Sequence, residues 1–373
     1  MTAVGLVGCG FVADLYMRSF ALYPDIAVAA AHDSDGDRLS AFAAHWSVPG
    51  HGDFDAFLAA LPPDAIILNL TNPDAHFTVN KACLEAGRHV WCEKPLAMTL
   101  DEAQALKTLA DDAGLMLASA PASVLGEAAQ VLLREIRNGT AGQVRLIYAE
   151  LDDGFIPQAP YRDWVSESGA PWPAEDEFHV GCTLEHAGYY LTWLIAAFGP
   201  VRRVVAASAE LLPDKPGGNG TPDFSVATLF FHGGEVARLT CSITAPHDHR
   251  IRVIGDKGVL TVKEAWNNAA PVQFHKRLRL RRRLLEMPIG RRCRVTGPTH
   301  PQVSRKGAAA MNFALGPAEM LNALAEGRTC RMSNDFALHL TEVTLAIQNA
   351  GDGTGPLDMV TTCEKPEPMS WAR

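Results

Sequence analysis

Two short stretches of this chain hold residues that can do chemistry. Cys92-Glu93-Lys94-Pro95 puts an amine beside a carboxylate at the end of an apolar run. Gly8-Cys9-Gly10-Phe11-Val12-Ala13 puts glycines between an apolar run and a helical pattern. A lysine held near a positive ring and partly removed from water has a lowered pKa and can exchange a proton near neutrality. A glycine turn that opens a helix can seat a pyrophosphate on the first helical amides. Together the two stretches predict a cofactor seat and, about one nucleotide-binding domain later, a proton-handling group.

The elements around the first stretch fit that reading. Ala3 to Val7 is a short apolar strand. Gly8 allows the tight turn, Gly10 lets backbone approach a phosphate, Phe11 and Val12 open the helix, and the small Ala13 lets it pack close. A second apolar strand, Ile26 to Ala31, ends in His32-Asp33. Asp33 lies 23 residues after Gly10, where a carboxylate can accept from an adenosine ribose and repel a 2′-phosphate. No basic residue follows until Arg38, so NAD is expected rather than NADP.

Strand and helix then alternate to residue 120. Helices are expected at Arg38–Trp46, Asp53–Ala60 and His76–Ala86, the last closed by Gly87, and strands at Ala65–Leu70, His89–Cys92 and Leu115–Ala118. Thr99-Leu100-Asp101-Glu102 has the form of a capping box for a helix to about Ala113. Such alternation gives a doubly wound parallel sheet. After residue 120 the texture changes to strand-like runs at Val144–Leu151, Val201–Ser208, Ser225–Phe231, Val236–Thr244, Arg250–Ile254 and Val259–Val262, with helices at Phe313–Ala325 and Asp335–Ala350. The expected fold is α/β: residues 1–120 a Rossmann dinucleotide-binding domain, 121–373 an α+β domain with an open, mostly antiparallel sheet. Pro213–Pro222 reads as a Pro/Gly-rich loop.

Composition narrows the class. A chain of 373 residues with 47% hydrophobic residues can bury two sizeable cores. No apolar run approaches a membrane span and Met1-Thr2 leads straight into a strand, so neither a membrane segment nor a signal peptide is expected. Eight cysteines without a C-x-x-C pair suggest reduced thiols in a cytoplasm, with no zinc site and no other metal site. A net charge of −9 disfavours nucleic acid. Residues 276–294 nevertheless hold nine Lys/Arg against the single Glu286, a local +8 against −17 elsewhere. This segment reads as a solvated loop or subunit contact, or alternatively as a patch for an anionic substrate or acidic partner.

The chain resembles the glucose–fructose oxidoreductase / inositol dehydrogenase / rhizopine-catabolism (Gfo/Idh/MocA) family. The residues that carry the likeness are Gly8 to Ala13, Thr71-Asn72-Pro73-Asp74-Ala75-His76, Glu93-Lys94-Pro95, Gly139 to Val144 and Gly255-Asp256-Lys257-Gly258. The resemblance implies an NAD-dependent oxidoreductase acting on a sugar, cyclitol or related polyol as a homodimer or homotetramer, and it assigns substrate and oligomer contacts to the 121–373 domain. It implies that Thr71, Asn72 and His76 line the nicotinamide side near Glu93, and that Lys94 stands between nicotinamide and substrate.

One segment departs from the family pattern. Where relatives carry Asp, then His four residues on, then Asp three further, this chain has Glu185, Tyr189 and Thr192, with His186 adjacent. On a helix those three positions share one face, so Lys94, Glu185 and Tyr189 are the expected catalytic groups, though a phenol is a poorer base than imidazole. Upstream, Tyr161, Trp164, Trp172 and Glu175-Asp176-Glu177-Phe178-His179 read as a loop covering the pocket. Trp164, His179, Glu185, His186 and Tyr189 are thus the expected substrate contacts besides Lys94. The missing histidine leaves two other readings open: a redox-neutral enzyme that retains NAD, and a non-catalytic dinucleotide sensor.

Overall fold

A computed structural model describes residues 2–216, 220–305, 307–353 and 355–373; within the Pro213–Pro222 loop, 217–219 lie outside the described residues. The N-terminal unit alternates β1 (Thr2–Val7), α1 (Phe11–Phe20), β2 (Ile26–His32), α2 (Gly36–Trp46), β3 (Gly50–His51), α3 (Phe54–Ala60), β4 (Ile66–Asn69), α4 (Pro73–Glu85), β5 (Val90–Cys92), α5 (Leu100–Asp112) and β6 (Leu117–Ser119). All six strands are parallel, in the order β3-β2-β1-β4-β5-β6. Winding reverses between β1 and β4, and at such a switch point a crevice opens at the carboxyl ends of the strands.

The central strands are buried on both faces. Leu6, Ile66, Leu68 and Trp91 pack with Tyr16 and Phe42 on one side, and Val7, Ile67, Val90 and Cys92 pack with Phe57 and Leu106 on the other. That double burial is why these segments read as continuous apolar runs. Two helices start earlier than the sequence suggested. Asp35 caps α2 by accepting from the amides of Asp37 and Arg38, both at 3.0 Å, and Pro73 occupies the first turn of α4, where its missing N–H costs nothing.

The second unit contains α6 (Glu127–Arg137), β7 (Val144–Asp152), α7 (Ala174–Val180), a π-helical turn over Thr183–Ala187 running into α8 (Gly188–Phe198), β8 (Val201–Ala209), β9 (Phe224–Phe231), β10 (Val236–Ser242), β11 (Ile251–Gly255), β12 (Gly258–Val262), β13 (Val272–Leu280), β14 (Arg283–Glu286), β15 (Arg291–Cys293), α9 (Leu315–Glu326), α10 (Asn334–Gln348) and β16 (Leu357–Asp358). Its sheet runs β14-β13-β12-β11-β7-β10-β9-β8-β16, with β15 also on β13. Only β7 and β10 pair in parallel; the other described pairings are antiparallel. The acidic run 175–177 is the first turn of α7 rather than loop. The basic segment 276–294 is likewise not a loop but an exposed β-ribbon, β13–β15.

The last helices return to the first unit. Asn334 at the start of α10 accepts from the Leu117 amide at 2.8 Å and donates to the Leu115 carbonyl at 3.1 Å. Gly316 in α9 lies so close to Trp91 that any β-carbon would collide with the indole. These contacts bind chain from the far end of the sequence to the β5–β6 side of the first sheet.

Candidate active site

The glycine turn follows β1. Gly8 has φ +95°, and a β-carbon there would stand 2.7 Å from the Leu70 carbonyl carbon, so the position tolerates only glycine. Gly10 caps α1 in extended conformation, and no atom lies within 4 Å of where its β-carbon would be. Open backbone there and the first amides of α1 suit a pyrophosphate. They face a cavity of about 1300 Å³ that runs from Gly10, Phe11 and Val12 past Thr71 and Asn72 to Lys94, Glu185 and Tyr189. The residues present therefore fit a dinucleotide.

Lys94 and Glu93 stand at the end of β5. The Tyr16 hydroxyl donates to Glu93 Oε1 at 2.6 Å and itself accepts from Trp91 Nε1 at 2.8 Å, so Glu93 is fixed to the helix that carries the glycine turn. Lys94 donates its ammonium to Glu185 across the cavity wall. Burial disfavours that charge, but the carboxylates of Glu185 and Glu177 outweigh it and hold the Lys94 pKa well above its ordinary value. This corrects the expected lowering: the chain supplies anionic partners beside the lysine. Burial and the facing Glu177 push the Glu185 carboxyl up, which makes it receptive to a proton. Burial likewise raises the Tyr189 phenol, so it suits a hydrogen-bond donor better than a base.

The family model for the oxidoreductase family with an NAD-binding Rossmann fold matches residues 2–120, and that for the GFO/IDH/MocA C-terminal domain matches 130–261. The chain belongs to the Gfo/Idh/MocA family. As in that family, the protein is an NAD(P)-dependent oxidoreductase with an NAD-binding domain. It is 26% identical over 270 residues to trans-1,2-dihydrobenzene-1,2-diol dehydrogenase of Mus musculus, covering 70% of this chain and 74% of that one. It is 23% identical over 266 residues to myo-inositol 2-dehydrogenase of Thermotoga maritima, with 68% and 73% covered. A solved structure of similar fold is the inositol dehydrogenase homolog of Azotobacter vinelandii complexed with NADH and myo-inositol: TM-score 0.75, 18% identity, 96% of this chain and 97% of that one.

Within this Gfo/Idh/MocA chain several expected contacts fall elsewhere. Asp33 is buried, with Oδ2 accepting from the Cys9 amide and Oδ1 from the Asp35 amide, both at 2.8 Å. It braces the glycine turn and is not among the cavity-lining residues; Asp35, Asp37 and Arg38 line that end instead. His76 is fully buried with its ring between the carbonyls of Pro95 (2.6 Å) and Thr71 (2.9 Å). It therefore ties the Thr71 loop to the Lys94 loop rather than lining the nicotinamide side, and burial lowers its pKa to about 4. His179 points outward, 59% exposed and 3.9 Å from Asp74. The expected common face is kept only in part: Glu185 and Tyr189 line the cavity together with His186, whereas Thr192, further along α8, is buried and donates to the Tyr189 carbonyl. Trp164 lines the wall, its ring 5.2 Å from that of Trp172. None of the basic residues of 276–294 does.

Sequence reading passed over other residues that share this cavity, namely Asp153, His247, His249, Glu264 and Trp266. Their signal was His247-Asp248-His249 just before β11, since alternate residues of extended chain share a face. Glu264 accepts on both sides, at 3.0 Å from His247 Nε2 and 3.0 Å from His249 Nδ1. Burial opposes a charge on His249, but Asp153 and Glu264 outweigh it and raise its pKa to about 9. The Trp266 ring packs against His249, Tyr189 and His186 at centroid distances of 4.4, 5.0 and 5.7 Å.

Proposed function

We propose that the protein transfers a hydride between NAD and a secondary alcohol of a sugar, cyclitol or related polyol, with Lys94 handling the hydroxyl proton. The observation that carries this reading is the Lys94–Glu185 ion pair in the wall of the cavity that begins at the glycine turn. NAD, when bound, supplies the hydride acceptor or donor. In the reducing direction the Lys94 ammonium gives its proton to the carbonyl oxygen. In the oxidising direction Lys94 first passes a proton to Glu185 and then accepts the one on the substrate hydroxyl. Tyr189 donates a hydrogen bond to a substrate oxygen, and the Trp164 and Trp172 rings offer apolar faces for a sugar ring. Glu177 keeps Glu185 receptive.

At the adenosine end, Asp33, Asp35 and Asp37 set three carboxylates against Arg38, which is itself paired with Asp35 at 3.0 Å. That balance supports NAD over NADP. A homodimer or homotetramer fits the exposed Leu278, Leu280 and Leu284 on the β13–β15 ribbon. A cytoplasmic setting fits eight free, buried cysteines, and no helix among the described residues is long and apolar enough to cross a membrane.

The test is incubation with NAD and a panel of sugars and cyclitols, following NADH absorbance and product by mass spectrometry. Stoichiometric NADH with ketone is the expected result. Product without net NADH would transfer the assignment to a redox-neutral enzyme, and binding without product to a sensor.

A further inference from the structure

Three strand ends meet on the second sheet beside the cavity. Asp153 follows β7, His247 and His249 precede β11, and Glu264 follows β12. Backbone contacts hold them in place: Asp152 and Asp248 exchange bonds at 3.1 and 2.8 Å, and the Ala265 amide donates to the His249 carbonyl at 3.0 Å. The arrangement is thus set by the sheet, which is how a rigid ligand set is built.

Glu264 engages one nitrogen of each histidine, Nε2 of His247 and Nδ1 of His249. The other two nitrogens are left facing Asp153: His249 Nε2 lies 3.2 Å and His247 Nδ1 4.0 Å from Asp153 Oδ1. His249 is fully buried, and its Nε2 is a buried atom with no hydrogen-bond partner. One ligand atom from each of the three residues falls within 4.8 Å of the others. A carboxylate that fixes the far nitrogen of a histidine, so that the near one presents its lone pair, is the usual support of a metal-bound imidazole.

We propose that Asp153, His247 and His249 form a site for a divalent transition-metal ion of the zinc class, with Glu264 orienting both imidazoles. Two nitrogens and one carboxylate oxygen select zinc, cobalt, manganese or iron over magnesium or calcium. Ligand atoms about 2.0–2.2 Å from a tetrahedral ion lie roughly 3.3–3.6 Å apart. The Asp153–His249 separation is already close to that, and His247, 55% exposed, is free to turn its Nδ1 in from 4.0 Å. Three protein ligands leave positions open toward the cavity. There the ion would hold vicinal oxygens of a polyol, a role that rests on the function proposed above, whereas metal binding itself does not.

The experiment titrates the metal-stripped protein, in the absence of NAD and substrate, with Co²⁺ and with Zn²⁺, reading cobalt absorption and calorimetric stoichiometry. One equivalent with a cobalt–imidazole spectrum is expected. His247→Ala and Asp153→Asn should each weaken binding by at least about tenfold, and Glu264→Gln by roughly 10- to 100-fold. His247 is half exposed, so its replacement spares the fold, which circular dichroism confirms. Absence of a stoichiometric site, or a site unchanged in His247→Ala and Asp153→Asn, would overturn the proposal and leave His249 as a protonated link between two carboxylates. NADH formation is measured separately, so loss of the metal site and failure of the dehydrogenase reading give different results.

Discussion

Replacing Glu185 by Gln keeps the side-chain volume and removes one charge from the proton relay. Hydrogen bonds to charged groups contribute about 1.5–3 kcal/mol net. Lys94 keeps 20% of its side chain open to the cavity, and Glu177 and Glu93 still face it, so the stability loss belongs near the lower end of that range. The kinetic loss is larger, because the amide cannot take the Lys94 proton. General acid–base groups contribute about 10²- to 10⁴-fold. With Lys94 retained, we expect about 10²-fold in kcat for alcohol oxidation, which corresponds to roughly 2.7 kcal/mol on the barrier. The pH dependence has a definite sign. Glu185 is the largest of the charges that raise the Lys94 pKa. Without it the ammonium is lost at lower pH, so carbonyl reduction, which needs that ammonium, loses its alkaline limb earlier than in the parent protein. The assay is steady-state turnover in both directions across pH, with NADH binding by fluorescence as the control. A kcat within about twofold of the parent, together with an unmoved alkaline limb, would remove Glu185 from the relay.

Lys94→Met should retain NADH binding while turnover falls by about 10²-fold or more; near-parental turnover would assign the lysine a structural role only. Tyr189→Phe should raise KM about tenfold with kcat little changed, since burial makes the phenol a donor rather than a base, whereas a selective fall in kcat would return proton transfer to Tyr189. Asp35→Ala removes the nearer of the two carboxylates paired with Arg38, leaving Asp33 at 3.7 Å, and should improve kcat/KM for NADP relative to NAD by about tenfold, at a cost of about 1 kcal/mol for the lost helix cap; an unchanged ratio would refute the charge-balance argument. Burial lowers His76 and His339 to about 4, below the reference near 6.5. Stability is therefore full above about pH 6.5 and falls as acid approaches about pH 4. Between about pH 7 and pH 5 the loss is roughly 2 kcal/mol for each histidine, read from urea midpoints. If His76→Gln and His339→Gln leave the acid sensitivity intact, other groups account for it.

The sequence by itself determined the winding of the first unit and the ends of the cofactor seat. Strands buried on both faces must be continuous apolar runs, and a turn at φ +95° against Leu70 must be glycine, so both are local signals. The mostly antiparallel second sheet was likewise legible from its alternating strands and turns. Lys94 and Glu185 were visible as residues, but their pairing across 91 positions of chain, and the raised lysine pKa that follows, depend on where two separate elements are brought together. Asp33 and His76 had the right chemistry at the right spacing, yet burial spends their hydrogen bonds on holding loops. Glu185, His186 and Tyr189 were legible as pocket residues and do line the cavity, but the π-helical turn over Thr183–Ala187 that carries Glu185 and His186 has no signature in a regular helical period, and Thr192 is spent on packing inside α8. Asp153, His247, His249 and Glu264 lie up to 111 residues apart. Only the pairing of β7, β11 and β12 makes them neighbours, because strand ends meet through hydrogen-bonded register and not through closeness in sequence.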